Sequence, residues 1–255
     1  MNITLIKYVL TAARRDRFFL SLCAIMIVES ALSIFLSSAA VVEQGQFSIV
    51  YLASSLRILG LLGLILFVVF FIRRSFEARD VEYLLTRPVS RLSFILSHSA
   101  GFSILALIIA VALGAALSFI SYGMGNLAGG VYWSTGLVCE YLLIVNVALF
   151  FSMVLSSPVA ASLSSFGFYI LARLMGQLLY IAQHPTLEIP GSKILSGVFQ
   201  VISTVIPRLD LMTQTGWLVY GVTEIKDVFF IAVQAVFFLL LVLIAALIDL
   251  RRRQF

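Results

Sequence analysis

The sequence predicts an all-α integral membrane protein with six spanning helices, and three observations carry that prediction. The chain is 62% apolar and only 11% charged, where a soluble domain carries about a quarter charged residues. Six apolar runs come close to or exceed the roughly 20 residues that cross a hydrocarbon core. Lys and Arg cluster beside those runs and are not spread along the chain, which is a pattern of membrane orientation. Soluble enzyme classes are thereby excluded. The net charge of +5 reads as orientation and gives no reason to expect nucleic acid as a partner. The two cysteines, Cys23 and Cys139, lie inside apolar runs and build neither a disulfide framework nor a metal cluster.

The chain is read as one transmembrane domain over residues 1–255, with residues 1–17 as an interfacial segment and 18–255 as the six-span bundle. Residues 3–13 alternate apolar and polar at helical spacing and lead into Arg14, Arg15, Asp16 and Arg17. That pattern predicts an amphipathic elbow helix lying in the membrane interface. The spans are expected at 18–41, 51–72, 94–121, 132–155, 158–182 and 228–249. Ser156, Ser157 and Pro158 separate the fourth from the fifth as a tight hairpin, because proline cannot continue a helix from the residue before it. The stretch 123–130 reads as a flexible glycine-rich turn, and the long connection 183–227 contains an apolar helical period between Gly191 and Pro207. The latter predicts an outer amphipathic helix.

Orientation follows from the connections. Lys7, Arg14, Arg15 and Arg17, then Arg73, Arg74, Arg79, Arg87 and Arg91, then Arg251, Arg252 and Arg253 fall on one side of six spans, whereas the other side receives Lys193, Arg208 and Lys226. Both termini are therefore expected in the cytoplasm. Trp133, Tyr132, Trp217 and Tyr220 are expected as aromatic anchors at the outer interface. His98 and His184 fall at opposite faces and read as interfacial histidines.

Between spans two and three, Ala78, Val81, Leu84 and Leu85 form a short apolar stripe, with Glu77, Arg79, Asp80 and Glu82 on much of the remaining surface and Pro88 as its stop. By itself this is equally a solvated turn. The run Leu84-Leu85-Thr86-Arg87-Pro88-Val89-Ser90-Arg91 resembles the Leu-Leu-x-x-Pro-x-Ser-Arg that follows a Glu-rich turn in permease subunits of the type-2 (ABC-2) class of ABC exporters. Residues 206–211, Ile-Pro-Arg-Leu-Asp-Leu, are similar to a stretch before the last span of such permeases, and the basic C-terminus fits as well. The resemblance implies that 75–87 is a coupling helix docking on a separate ATPase subunit, with Glu77, Arg79, Asp80, Val81, Glu82, Leu84, Leu85 and Arg87 at the contact. It also implies a second permease subunit, identical or related, and a bacterial inner-membrane location among membrane lipids. Further periplasmic or membrane subunits are compatible with it.

The chain itself contains no Gly-Lys pair and hence no phosphate-cradling loop. ATP and Mg would sit on the partner ATPase, and this chain, with no catalytic or metal-ligating constellation, is expected to be a non-catalytic subunit. The alternative is an ATP-independent transporter or channel, or a structural assembly subunit. Glu29, Arg57, Glu140 and Arg173 fall inside spans, at roughly 9 to 18 Å from their outer ends at 1.5 Å per residue. There they must face protein and not lipid. Together with Gln177 and Gln234 they read either as a structural ion-paired network or as a polar substrate path; the substrate itself is not legible.

Overall fold

The computed structural model describes residues 3–39, 43–77, 91–183, 197–198, 201–202, 206–222 and 226–252. Eight helices and one 3-10 turn are defined there: α1 (Ile3–Arg15), α2 (Phe18–Ser38), α3 (Gln44–Glu77), α4 (Arg91–Gly123), α5 (Leu127–Val154), α6 (Pro158–Gln183), the 3-10 turn Leu209–Leu211, α7 (Gly216–Tyr220) and α8 (Lys226–Arg252). No strand occurs among the described residues. Six helices, α2 to α6 and α8, are long and apolar enough to cross a membrane. The expected span order holds, but the helices outrun their apolar cores: α3 starts at Gln44 and continues to Glu77. A helix, once nucleated, propagates through polar residues with good helix propensity, so hydropathy underestimates its ends.

α5 is the axis of the bundle. It packs against α3, α4, α6 and α8, and the share of its most apolar window buried is 67%, against 11% for α2 and 22% for α8. Small residues bring α4 and α5 close. A Cβ on Gly114 would meet Ser134 at 2.7 Å, and one on Gly130 would meet the Ser118 backbone at 2.7 Å. Such small-residue contacts pack helices in lipid, where apolar burial alone gives no drive to associate. A polar clasp adds direction: the Asn146 amide accepts from Ser99 and donates to Ser103 Oγ at 3.1 Å.

α1 forms where the amphipathic period places a helix. Its apolar face, Leu5, Ile6, Val9 and Ala13, is buried and packs on α4 and α2, with Val9 3.1 Å from where a Gly101 Cβ would stand. The helix is thus clamped to the bundle, and Arg74 on α3 pairs with Asp16 just after it at 3.1 Å. His98, expected at an interface, is 2% exposed and sits among Phe71, Phe94 and Phe102, its Nδ1 2.9 Å from Phe94 O. Of the coupling residues only Glu77 is described, as the last backbone position of α3; Arg79, Asp80, Val81, Glu82, Leu84, Leu85 and Arg87 lie outside the described residues. The expected outer helix is described at 197–198 and 201–202, which are helical. His184 lies outside the described residues.

The glycine-rich stretch 123–130 is mostly helix, contrary to the expected turn. Asn126 caps α5, its side chain accepting from Gly129 N, and this shortens the turn because a capped first turn needs no further loop to satisfy its N–H groups.

Candidate functional site

After α6 the chain returns to the bundle. Residues 206–222 form a strap, made of the 3-10 turn and α7, that packs against α3, α5 and α6. Glycines make this approach possible. A Cβ at Gly129 would lie 1.9 Å from Trp217 O, one at Gly136 2.7 Å from Thr213 N, and one at Gly176 2.1 Å from Asp210 Oδ2. Real Cβ atoms do not tolerate such distances, so strap backbone lies where side chains of α5 would otherwise stand, and the Asp210 side chain lies where one of α6 would.

The strap is irregular, and irregular backbone at membrane depth is tolerated only where protein satisfies its polar groups. Two arginines do so here. Arg173 on α6 donates through Nη1 to Leu209 O and to Met212 O, both at 2.6 Å, and through Nη2 to Thr213 O at 3.2 Å. Arg57 on α3 donates through Nη1 to Thr213 O at 3.0 Å. Glu140 on α5 lies between them, with Oε1 3.9 Å from Arg57 Nε and Oε2 3.7 Å from Arg173 Nη1. Its closest partner is the Thr213 hydroxyl, which donates to Oε2 at 2.5 Å. Thr213 is fully buried and holds a left-handed backbone, φ 46°. That conformation is costly for a β-branched residue, and the hydrogen bonds on its carbonyl and hydroxyl offset the cost.

Around this knot the structure places other groups. Tyr141 donates to Arg57 O at 2.9 Å, fixing the α3 backbone beside Arg57. The Tyr169 hydroxyl is buried without a hydrogen-bond partner and lies within the electrostatic reach of Glu140 and both arginines. Arg208 and Asp210 of the strap pair with each other at 2.9 Å, and Asn126 donates to Trp217 O at 2.8 Å, pinning α7 to the start of α5.

Of the six membrane-embedded polar residues picked out from sequence, Arg57, Glu140 and Arg173 come together. Glu29 does not join them; it sits on α2 beside Tyr51 of α3, with Oε2 buried and unpartnered. Gln177 is exposed on α6. Gln234 is half-buried on α8, its Oε1 enclosed without a partner. Arg57 and Glu140 each lie thirteen residues, or about 20 Å along the axis, from the helix start at Gln44 or Leu127. The helices begin earlier than the apolar runs do. Trp133 and Trp217, expected as interfacial anchors, are 0% and 7% exposed: packing at the strap consumes them, while Tyr220, 85% exposed, remains outside.

Sequence reasoning missed Thr213, Gly129, Gly136, Gly176 and Asn126. The glycines were the available signal, since isolated glycines in a helical pattern indicate close backbone approach; Thr213 carried none. No metal-binding group of His, Cys, Asp and Glu occurs among the described residues. Chemically, the cluster is a donor-rich clamp for backbone carbonyls, with Glu140 balancing one of two buried cations. No family model, curated protein or solved structure matches this chain.

Proposed function

We propose that the chain is the membrane subunit of an ATP-driven ABC exporter, sitting in a bacterial inner membrane with both termini cytoplasmic and working beside a second permease subunit. ATP is hydrolysed on a separate ATPase docked at 75–87. The observation that carries this reading is the continuity of α3 from Gln44 through Arg57 to Glu77. One unbroken helix joins the strap knot to the start of the charged segment that resembles a coupling helix, and 20 helical residues separate Arg57 from Glu77, about 30 Å. A helix of that length, buried along most of its span, moves as a rod. A push at 78–90 by a partner would therefore shift Arg57 relative to Arg173 and Glu140 and loosen the strap at the other end. The strap acts as the outer gate in this reading, and mixed charge at 77–87 orients the partner while Val81, Leu84 and Leu85 give apolar contact.

Copurification is the direct test. An ATPase of roughly 25 to 35 kDa, the size of one or two domains, encoded in the neighbouring region, is expected to copurify with the chain. Reversing Glu77, Asp80 and Glu82 together to Lys is expected to abolish that association while the permease keeps its melting temperature. A chain whose transport proceeds without any ATPase, or whose complex is unchanged by the triple reversal, overturns the reading.

A further inference from the structure

Three polar atoms of the knot make no hydrogen bond of their own. Arg57 Nε on α3, Glu140 Oε1 on α5 and the Tyr169 hydroxyl on α6 are buried, and none has a partner among the described residues. Their residues are 8%, 0% and 3% exposed. Buried polar atoms are nearly always paired in folded proteins, so three orphans in one place call for a cause. They stand together. Arg57 Nε and Glu140 Oε1 face each other at 3.9 Å, beyond the reach of a direct hydrogen bond. Tyr169 lies one helical turn before Arg173 on α6. Its hydroxyl interacts with Glu140 and both arginines without closing a hydrogen bond of normal geometry. Polar groups held at such a separation are commonly joined by a bridging molecule.

The chemistry of the three atoms narrows what fits between them. Arg57 Nε only donates, a carboxylate oxygen such as Glu140 Oε1 only accepts, and the Tyr169 hydroxyl does either. A ligand that meets all three must therefore accept and donate through one small group. A bare anion has no proton to give Glu140 Oε1, and a metal cation would face two guanidinium groups, Arg57 and Arg173. The near-complete burial of all three residues restricts the ligand to the smallest such molecule.

We propose that one water is held here as a bridge, accepting from Arg57 Nε, donating to Glu140 Oε1 and sharing a third hydrogen bond with the Tyr169 hydroxyl. About three bonds are the usual complement of a buried water. The bridge completes the bonding of Glu140, whose Oε2 already accepts from Thr213. It also lets Arg57 hold Glu140 through Nε while its Nη1 holds Thr213 O. Tyr169 is thereby a positioning residue of the knot, acting through the water, and nothing in this depends on an ATPase or on transport.

The test uses the whole chain in lipid bilayers with isotopically labelled arginine. Solid-state NMR follows magnetisation from water protons to the side-chain nitrogens, at mixing times shorter than the exchange of guanidinium protons with bulk water. Arg57 Nε is expected to receive it, although Arg57 is shielded from solvent. Tyr169→Phe removes one of the water's partners and is expected to cut the transfer several-fold. Tyr141→Phe removes a hydroxyl that donates to Arg57 O and lies outside the bridge, and is expected to leave the transfer unchanged. No transfer to Arg57 Nε in the unaltered chain would overturn the water, and that measurement needs no variant to fold. Transfer that survives Tyr169→Phe intact would overturn the three-atom site. An equal loss in Tyr141→Phe would overturn it too, by tracing the effect to packing and not to the Tyr169 hydroxyl.

Discussion

Replacing Arg173 by Leu distinguishes a clamp for backbone from an ion pair. In an ordinary buried ion pair, removing one partner strands the other at a cost of about 3 to 5 kcal/mol, and removing both is nearly neutral. Here the hydrogen bonds of Arg173 run mainly to carbonyls, at 2.6 Å to Leu209 O and Met212 O, while Glu140 stands off at 3.7 Å. After Arg173→Leu, Thr213 O keeps Arg57 and Leu209 O keeps the Met212 N–H. Met212 O is left without a donor, at about 1 to 3 kcal/mol, and Glu140 is left with one distant cation in place of two, at a similar cost. Together these come to about 4 kcal/mol, roughly a thousandfold in the ratio of docked to lifted strap.

Trp217 reports that ratio. The chain has two tryptophans, so Trp133→Phe leaves Trp217, 7% exposed on the strap, as the single emitter. Arg173→Leu in that background is expected to shift its emission to the red before the helices melt by circular dichroism. Adding Glu140→Leu is expected to recover at most a small part of the loss, because Met212 O stays orphaned and Arg57 and the Thr213 hydroxyl lose their partner. Full recovery in the double variant would show that the ion pair dominates and the carbonyl contacts are incidental. Unchanged emission in Arg173→Leu would refute the clamp altogether.

The glycines make an ordered prediction: Gly129→Ala and Gly136→Ala collide with strap backbone, at 1.9 and 2.7 Å, whereas Gly176→Ala meets the end of the Asp210 side chain, which can swing aside. The first two are expected to expose Trp217 strongly, the third weakly, and Gly167→Ala, which meets nothing within 4 Å, not at all; equal effects from all four, read by Trp217 emission, would contradict the docking geometry. For orientation, an impermeant thiol reagent applied to intact cells is expected to label a cysteine at Ser192 and to miss one at Arg74. Arg74 is exposed, whereas its neighbour Ser75 is buried and hydrogen-bonded to Phe71 O; the opposite labelling pattern would invert the topology.

The spans were legible because their signal is local. Twenty consecutive apolar residues need no knowledge of neighbours, and the Pro158 break is likewise a property of one position. The participation of Arg57, Glu140 and Arg173 was legible for a related reason: charge in an apolar run has to find protein partners, whichever helices supply them. The partners themselves were not. Equal numbers of acids and bases in the spans suggested pairing among side chains, yet Glu29 stayed on α2 beside Tyr51, and Arg173 donates instead to carbonyls of residues 209, 212 and 213. A backbone carbonyl is present at every residue and so leaves no mark in a sequence. The strap segment Arg208 to Thr215 interleaves polar residues with Leu209, Leu211 and Met212, and only the folded arrangement turns its carbonyls inward.

That inward turn explains why two guanidinium groups are present where one would balance Glu140. Leu209 O, Met212 O and Thr213 O belong to turns, not to a regular helix, and their residues are buried; buried carbonyls need donors, of which Leu209 O finds one in its own segment, the Met212 N–H. Lysine would present a point charge to one or two of them. The planar, forked guanidinium of Arg173 reaches the carbonyls of three residues at once, and Arg57 comes from the opposite helix to share Thr213 O. The carboxylate of Glu140 then does what no carbonyl can, offsetting one of the charges, and it also accepts from the Thr213 hydroxyl. The strap is consequently fastened by contacts contributed from three separate helices, α3, α5 and α6. A small displacement of α3 alone, by drawing Arg57 away from Thr213 O, weakens the fastening without breaking the helix packing around it.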